Sequence, residues 1–232
     1  MKKLLDKIKK NKQNRNNKKY KEINNKNSKT LKNALQQYNL SKSLQKNIDL
    51  FQSTILKDDD TVIYRKFKNR DSSIEFCLVF IDGMVKNQTI NQNIIYPITT
   101  YNLNQCNKQE FNRVGERLLQ HISDQVIMVD EVKSSNSVDE LIHKLLYGDS
   151  ILFVDGYDKA LIINTKGWDT RAIEEPSSET IVKGPREGFN ESIIKNLSLI
   201  RRKINSPDLK FKFKELGVRS STKICIAYVE GL

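Results

Sequence analysis

Several features that mark particular protein classes are scarce or missing in this 232-residue sequence. Its longest apolar runs, CLVFI, VIMV, ILFV and ALII, are far shorter than the roughly 20 apolar residues that span a bilayer. The N-terminus is basic, but no apolar stretch of about 7–15 residues follows it, as a secretory signal peptide requires. We therefore predict neither a transmembrane helix nor a signal peptide within these residues.

Cysteine and histidine are too few and too scattered to indicate a metal or redox site. The three cysteines, Cys77, Cys106 and Cys225, form no CxxC pair, and their use fits a reducing compartment. His121 and His143 lie in helix-like segments, where a lone histidine is commonly a residue of the helix face. We predict no metal ion and no cofactor.

Phosphate-binding loops and nucleophile motifs are also missing. The stretch KGPREGFNES places Gly184 and Gly188 before a helix, as phosphate loops do, but neither a Walker pattern nor GxGxxG is present. Pro185 has no backbone N–H to donate, and Glu187 brings negative charge to the loop. No GxSxG, histidine or cysteine accompanies the nearby carboxylates. We predict neither nucleotide binding nor catalysis, so the protein is expected not to be an enzyme.

Positive charge is concentrated at the N-terminus. Residues 1–30 hold twelve Lys or Arg and two acidic residues, so residues 31–232 carry only +2 of the net +12. A Lys/Asn-rich segment with little to bury predicts a disordered tail, which we place at residues 1–36. Three interpretations stay open: a solvated tail without a partner, an arm for an anionic membrane surface, or a nucleic-acid arm. We expect no nucleic-acid partner overall.

Hydrophobic periodicity after the tail predicts alternating helices and strands, a mixed α/β or α+β class. The first helix carries one apolar stripe, formed by Leu40, Leu44, Ile48, Phe51 and Ile55. The other predicted helices are EFNRVGERLLQHIS, SVDELIHKLLYG and NESIIKNLSLIRRKI. The predicted strands are TVIYRKFK, IEFCLVFI, QVIMVDEV, SILFV, KALIINT, FKFKELGVRS and KICIAYVEG. Ser137 and Glu140 form a predicted capping box, and Asn190 is the predicted N-cap of the last helix.

A sequence pattern that occurs twice suggests how the elements are grouped. LVFIDG at residues 78–83 and LFVDG at residues 152–156 each read as a strand that turns through Asp-Gly into another apolar strand. Two such hairpins predict two αβ subdomains, which we place at residues 37–130 and 131–232. We place the boundary between the subdomains within residues 124–137, and the prediction allows the chain to cross this boundary more than once.

Opposite charges alternate between residue 171 and the end of the last helix. The acidic members are Glu174, Glu175, Glu179 and Glu187, and the basic members are Arg171, Arg186, Arg201 and Arg202. Equal numbers of both signs predict a paired-charge network that fixes a loop onto a helix. The arginines at the helix C-terminus also suit the helix dipole.

The motifs EEPxxE, GPREGFxE, NLxLIRR and SPDL, in this order, resemble the A subunit of GerA-type nutrient germinant receptors from spore-forming bacteria. The stretches DSSIEFCLVFIDGMVKNQTINQNIIYPI and GDSILFVDGYDKALIINTKGWDTRAIEEP resemble the same family. The resemblance runs from about residue 40 to the C-terminus. It implies a hydrophilic domain of two αβ subdomains joined by linkers, loosely like the scaffold of substrate-binding proteins.

The resemblance also implies a biological setting. Such A subunits have a hydrophilic N-terminal domain followed by a membrane-embedded region, and work in the spore inner membrane with B and C subunits and with contacts between A subunits. This sequence looks like the soluble N-terminal domain alone, on the cytoplasmic or core side of that membrane. Its expected role is receptor assembly and coupling of nutrient sensing to ion release, through the charged residues above.

A second role stays open beside the coupling role. A nutrient such as an amino acid or a sugar could bind directly in the cleft between the subdomains. A zwitterionic nutrient needs a paired arginine and carboxylate in a concave site. Arg171, Arg186, Glu174 and Glu179 are the candidates for those contacts.

Overall fold

The computed structural model describes residues 35–101, 115–168 and 188–231. Contacts divide the chain into two units, residues 1–39 and residues 40–232. In the first unit the described residues form one helical turn, in which the Tyr38 N–H donates to the Leu35 carbonyl at 3.2 Å. All elements described below belong to the second unit. The predicted tail at residues 1–36 lies almost entirely outside the described residues.

A five-stranded antiparallel sheet forms the centre of the second unit. Its strands lie in the order β1-β2-β4-β5-β3. They are β1 Val62–Lys68, β2 Glu75–Ile81, β3 Val132–Ser135, β4 Ser150–Val154 and β5 Ala160–Ile163. The central strand β4 pairs with β2 on one side and β5 on the other, and all five of its residues are buried.

A separate two-stranded antiparallel sheet lies near the C-terminus. It consists of β6 Leu209–Leu216 and β7 Thr222–Val229, with Leu209 opposite Val229 and Leu216 opposite Thr222. Together they form the C-terminal hairpin. Its inner end is buried and its outer end is exposed, because the burial of β6 falls from Leu209 towards Leu216.

Helices flank the five-stranded sheet and the hairpin. They are α1 Leu44–Leu50, α2 Tyr96–Thr100, α3 Gly115–His121, α4 Val138–Leu146 and α5 Ile193–Lys203. Wider π-helical turns extend three of them: Phe51–Ile55 after α1, Thr89–Ile95 before α2, and Ile122–Val126 after α3. No helix in the described ranges is long and apolar enough to cross a membrane.

The central strands are buried on both faces, which explains why they read as continuous apolar runs in the sequence. On one face Phe76, Leu78 and Leu152 pack against isoleucines and leucines of the helical segments 89–100 and 115–126. On the other face Phe153 meets Phe51 edge to face, with 5.1 Å between the ring centroids. A smaller cluster under α5 joins Leu197, Leu209 and Phe211.

Most predicted elements are confirmed, and with them the mixed αβ class. The apolar stripe of the first helix is buried throughout. SILFV and KALIINT form the predicted hairpin. The capping box is present at its Ser137 end, because the Ser137 hydroxyl accepts the Glu140 N–H at 3.4 Å.

Three local predictions are wrong. QVIMVDEV is not one strand, because the helical turn continues to Val126 and only residues from Val132 join the sheet. LVFIDG does not lead into a second strand, because the helical segment Thr89–Ile95 follows. Ser192 rather than Asn190 caps α5, since the Ser192 hydroxyl accepts the Lys195 N–H at 3.5 Å.

Strands from both sides of residue 130 share the five-stranded sheet. β1 and β2 precede that residue, whereas β3, β4 and β5 follow it. The division into subdomains 37–130 and 131–232 therefore stays a proposal, in the form that allows the chain to cross between them more than once.

Candidate functional site

Two of the eight predicted site residues fall within the described part of the chain. Arg201 and Arg202 lie in the last turn of α5, as predicted. The other six, Arg171, Glu174, Glu175, Glu179, Arg186 and Glu187, lie outside the described residues. The site is therefore built here from the two arginines and the groups that they contact.

Arg201 is a buried cation, only 1% exposed to solvent. Its guanidinium forms an ion pair with Asp59, which precedes β1 and is 142 positions away in the sequence. It also donates to the Leu209 carbonyl at 2.9 Å, which holds the start of β6. The guanidinium carbon lies 4.7 Å from the centre of the Phe211 ring, a cation–π geometry. One side chain thus joins α5, β6 and the loop before β1.

Asp59 is held by a second set of donors. Its Oδ1 accepts the Thr61 hydroxyl at 2.6 Å and the Thr61 N–H at 3.1 Å. Burial lowers the pKa of Arg201, and the adjacent Asp59 carboxylate opposes that effect. Arginine has so high an intrinsic pKa that it stays charged at neutral pH. We call Asp59, Thr61 and Arg201 the buried anchor.

Lys210 is a second buried cation beside the anchor, with 2% of its surface exposed. Its Nζ donates to the Ile55 carbonyl at 3.3 Å and lies 3.9 Å from the carboxylate of Glu230. Burial lowers the pKa of Lys210, and the negative charge of Glu230 opposes the shift. Lys210 thereby ties the C-terminal hairpin to the end of the first helical segment.

The neighbours of Asp59 bind the same hairpin. Asp60 donates its N–H to the Phe211 carbonyl at 2.8 Å, and its Oδ2 accepts the Phe213 N–H at 2.8 Å. Lys212 forms ion pairs with Asp58 at 3.0 Å and with Asp60 at 3.3 Å. We call the run Asp58-Asp59-Asp60, which contacts β6 through these bonds, the acidic socket.

Arg202 points to a different part of the fold. Its guanidinium carbon lies 5.6 Å from the centre of the Trp168 ring. Trp168 meets Tyr147 edge to face at 6.0 Å, and the Lys166 ammonium lies 5.3 Å from the centre of the Tyr147 ring. Lys166 also pairs with the buried carboxylate of Asp149 at 2.6 Å. These contacts connect α5 to the segment between α4 and β4.

The sequence reasoning missed the partners of both arginines. The sequence analysis assigned no functional role to Asp59, Thr61, Lys210 or Trp168. A signal did exist for Asp59 and Lys210, because a run of three aspartates and an alternating LKFKFK strand are complementary in charge. Their separation by about 150 positions hid that complementarity.

Two surface grooves lie apart from the anchor. The larger, about 700 Å³, is lined by uncharged side chains: Asn91, Gln92, Tyr96, Pro97, Thr100, Tyr101, Gln125, Val126 and Met128. The smaller, about 220 Å³, includes Asp124 and Lys159 in its lining. The larger volume falls within the range of small-molecule sites.

The described residues offer little for metal or thiol chemistry. No group of three or more His, Cys, Asp or Glu side chains with metal-binding geometry occurs among them. Burial raises the pKa of Cys77 to about 12, so this thiol stays protonated at neutral pH and is a weak nucleophile. His143 lies on an exposed helix face, 3.5 Å from Asp139.

Comparison with known proteins identifies the family. Residues 49–232 match the model of the family described as Bacillus/Clostridium GerA spore germination protein. The chain belongs to the GerA family. The match includes the buried anchor and the C-terminal hairpin, and it confirms the resemblance seen in the sequence motifs.

Two relatives of this GerA-family chain are named spore germination proteins. It is 31% identical over 193 residues to spore germination protein KA of Bacillus subtilis (strain 168), a match that covers 83% of this chain and 34% of that protein. It is 30% identical over 195 residues to spore germination protein B1 of the same organism, covering 83% of this chain and 38% of the relative. The chain thus spans about a third of the length of these relatives.

A solved structure shows the same fold. The crystal structure of the N-terminal domain of the A subunit of the Bacillus megaterium spore germinant receptor GerK3 matches with a TM-score of 0.62 and 24% identity. The match covers 84% of this chain and 67% of that chain. At this level of identity the likeness establishes the fold of the GerA-family chain.

Proposed function

We propose that this chain is the N-terminal domain of a germinant receptor A subunit. It takes part in receptor assembly and in coupling nutrient sensing to ion release during spore germination. The observation that carries the proposal is the family match over residues 49–232, together with the fold shared with such a domain. The domain acts by binding and positioning, without chemistry of its own.

The setting is part of the same proposal. The partners are the B and C subunits of the receptor and neighbouring A subunits, in the spore inner membrane. The domain lies on the cytoplasmic or core side of that membrane. One feature supports a place beside an anionic membrane surface: residues 1–30 carry enough Lys and Arg to be attracted by anionic lipids.

The buried anchor supports the coupling role. It joins α5 and the C-terminal hairpin to the loop before β1 through charged groups that solvent does not reach. Such a pair is costly to separate, because either partner left alone would be a buried unpaired charge. The anchor therefore resists separation of these elements, as a domain that transmits a signal requires.

The predicted charge network has the same role in the proposal. The buried Arg201 of α5 is one member of the predicted set. Six other members precede α5 in the sequence: Arg171, Glu174, Glu175, Glu179, Arg186 and Glu187. We propose that these six residues add to the fixing of α5, without supplying catalytic groups.

A variant of the whole receptor tests the coupling role. Arg201→Met in the full-length A subunit should lower receptor abundance several-fold in spores, because destabilised domains are removed in the cell. Germination should weaken for every nutrient that the receptor answers. Lys46→Ala, at an exposed position of α1, is the matched control and should behave like the unmodified receptor.

The opposite pattern would refute the coupling role. If Arg201→Met receptors assembled at normal abundance but lost the response to one nutrient only, the anchor would act in nutrient recognition. Immunoblots of spore membranes and germination assays with several nutrients distinguish the two patterns.

Direct nutrient binding is the second candidate, and the larger groove favours it. Its described lining offers aromatic rings, amides and hydroxyls but no charged side chain. That chemistry suits a neutral sugar better than an amino-acid zwitterion, which needs paired charges. Titration of the isolated chain with nutrients separates this candidate from the coupling role.

A further inference from the structure

The C-terminal hairpin is attached to the rest of the second unit along one edge of β6. The Glu230 N–H donates to the Asp208 carbonyl, so the even-numbered residues of β6 form the hydrogen-bonded pairs with β7. The odd-numbered residues of β6 direct their backbone groups to the other side. There the Phe211 carbonyl accepts the Asp60 N–H, and the Phe213 N–H donates to the Asp60 carboxylate, both at 2.8 Å. The bonds that dock the hairpin are therefore distinct from the bonds that hold its two strands together.

Lys210 places a buried positive charge in this docked arrangement. Its surface is only 2% exposed, and its Nζ donates to the Ile55 carbonyl at 3.3 Å. An ammonium group has three donors, and this is the hydrogen bond that the described residues provide. The carboxylate that pairs with it, Glu230, lies 3.9 Å away on a side chain that is 69% exposed. The buried charge is thus weakly compensated.

The charged groups around Lys210 offset only part of the cost of its burial. Burial lowers the pKa of Lys210, whereas Glu230 at the end of β7, Asp59 in the acidic socket and Asp208 before β6 favour its charged form. The Arg201 guanidinium on α5 disfavours the charged form. Arg201 also pairs with Asp59 in the buried anchor, so this carboxylate serves two cations.

The state of charge of Lys210 is therefore linked to docking of the hairpin. Separation of the hairpin from the socket places Lys210 in water, where a lysine has a pKa of about 10.4. Between the lower pKa of the docked state and this value, undocking binds a proton. Docking strengthens as the pH rises through this interval, and it is weakest at lower pH, where Lys210 is charged in both states.

Apolar packing gives the docked hairpin limited support. Leu209 and Phe211 form a small buried cluster with Leu197 of α5, separate from the core of the five-stranded sheet. Beyond Phe211 the strand becomes progressively exposed towards Leu216. A unit with a small core of its own can open while the rest of the fold stays intact.

We infer that the C-terminal hairpin is a proton-sensitive latch, which undocks as a unit from Ile55 and the acidic socket and is released more readily while Lys210 carries its charge. The β6–β7 ladder stays intact in this motion. The pair of Arg201 with Asp59 also stays closed, because Arg201 loses only its contacts with Leu209 and Phe211 in β6. This inference concerns the hairpin only and does not depend on the proposed receptor role.

Amide hydrogen exchange of the whole chain tests whether the hairpin undocks as a unit. The amides of Asp60 and Phe213 report docking, because their bonds run between the socket and β6. The amides of Lys212 and Ile226 report the hairpin itself, because they belong to the β6–β7 ladder. After division by the intrinsic rates, the two docking amides should exchange at least about tenfold faster than the two ladder amides.

The pH dependence of the docking amides tests the role of Lys210. From pH 8 to pH 10, the opening equilibrium reported by Asp60 and Phe213 should fall by roughly two- to fivefold, within the limit of tenfold per pH unit that one proton sets. In Lys210→Met, which cannot bind a proton, the opening equilibrium should be lower and equal at the two pH values. In Lys210→Arg, which stays charged, it should keep the higher value at both.

Two control variants separate Lys210 from its neighbours. Lys212→Met removes a cation that pairs with Asp58 and Asp60, and the fall from pH 8 to pH 10 should persist in it. Its bonds to Asp58 and Asp60 raise the pKa of Lys212, so its own titration acts above this range and with the opposite sign. Tyr228→Phe removes the phenol opposite Lys210 in the ladder and should preserve the fall as well.

Three outcomes would overturn the inference. Equal exchange of the docking and ladder amides would show that the hairpin does not undock as a unit. An opening equilibrium that is unchanged between pH 8 and pH 10 would show that undocking binds no proton. The same fall in Lys210→Met as in the unmodified chain would assign the proton to another group.

Discussion

At the scale of single residues, the buried anchor is the feature with the largest consequence. The side chains of Arg201 and Asp59 are both almost fully buried and bind each other. Asp59 also accepts from Thr61, and Arg201 also donates to the Leu209 carbonyl. Exposed pairs in the same molecule, such as Lys68 with Glu75, have a similar contact distance but remain in water. Burial therefore distinguishes a pair that the fold requires from pairs that contribute little.

Removal of one anchor partner should destabilise the fold strongly. Arg201→Met leaves Asp59 as a buried charge without its cation, and breaking such a pair costs about 3–5 kcal/mol. The loss should appear as a lower midpoint in urea denaturation of the purified chain. Lys68→Met, which breaks an exposed pair, should leave the midpoint nearly unchanged.

A double variant completes this test. Arg201→Met combined with Asp59→Leu should recover part of the loss, because no charge is then left buried alone. Additive effects of the two substitutions would show that the pair does not act as a unit.

At the scale of secondary-structure elements, residue spacing predicts a helix face or a helix cap correctly where the structure buries that face or forms that cap. The Ser137 capping box and the stripe through Leu44, Ile48 and Phe51 were read directly from residue spacing, because a cap and an apolar face need only neighbouring residues. The helical segment after Gly83 was missed, although Ile90, Ile94 and Ile98 recur every four residues and are all buried. A short apolar run such as IMV is ambiguous between helix and strand, which explains the error near residue 127.

Element caps give a prediction at this scale. Ser137→Ala removes the side-chain oxygen that accepts the Glu140 N–H at the start of α4. Loss of an N-cap typically costs about 1 kcal/mol, so the urea midpoint should fall measurably. Ser137→Asp, which retains an acceptor at the cap, should be close to the unmodified chain. Equal losses in both variants would argue against the cap.

At the scale of the whole molecule, long-range pairing was the part that the sequence could not reveal. The anchor connects positions about 140 residues apart, and the acidic socket meets β6 across a similar separation. Nothing in local spacing indicates which arginine meets which aspartate. The strand order β1-β2-β4-β5-β3 depends on such pairings as well, whereas the family motifs near α5 were recognisable because they are contiguous.

The two proposed roles differ in what the whole domain binds. A coupling domain holds its neighbours through surfaces and needs no small ligand. A nutrient-binding domain needs a concave site that discriminates between nutrients, and the larger groove is the described feature of that kind. The role of the domain is therefore decided by its affinity for nutrients and not by its fold.

Calorimetric titration of the purified chain with amino acids and sugars that trigger germination tests the coupling role most directly. The coupling role predicts no saturable heat of binding at the nutrient concentrations that trigger germination. Saturable binding of one nutrient in that range, abolished by Tyr96→Ala in the larger groove, would contradict it and would establish direct nutrient recognition.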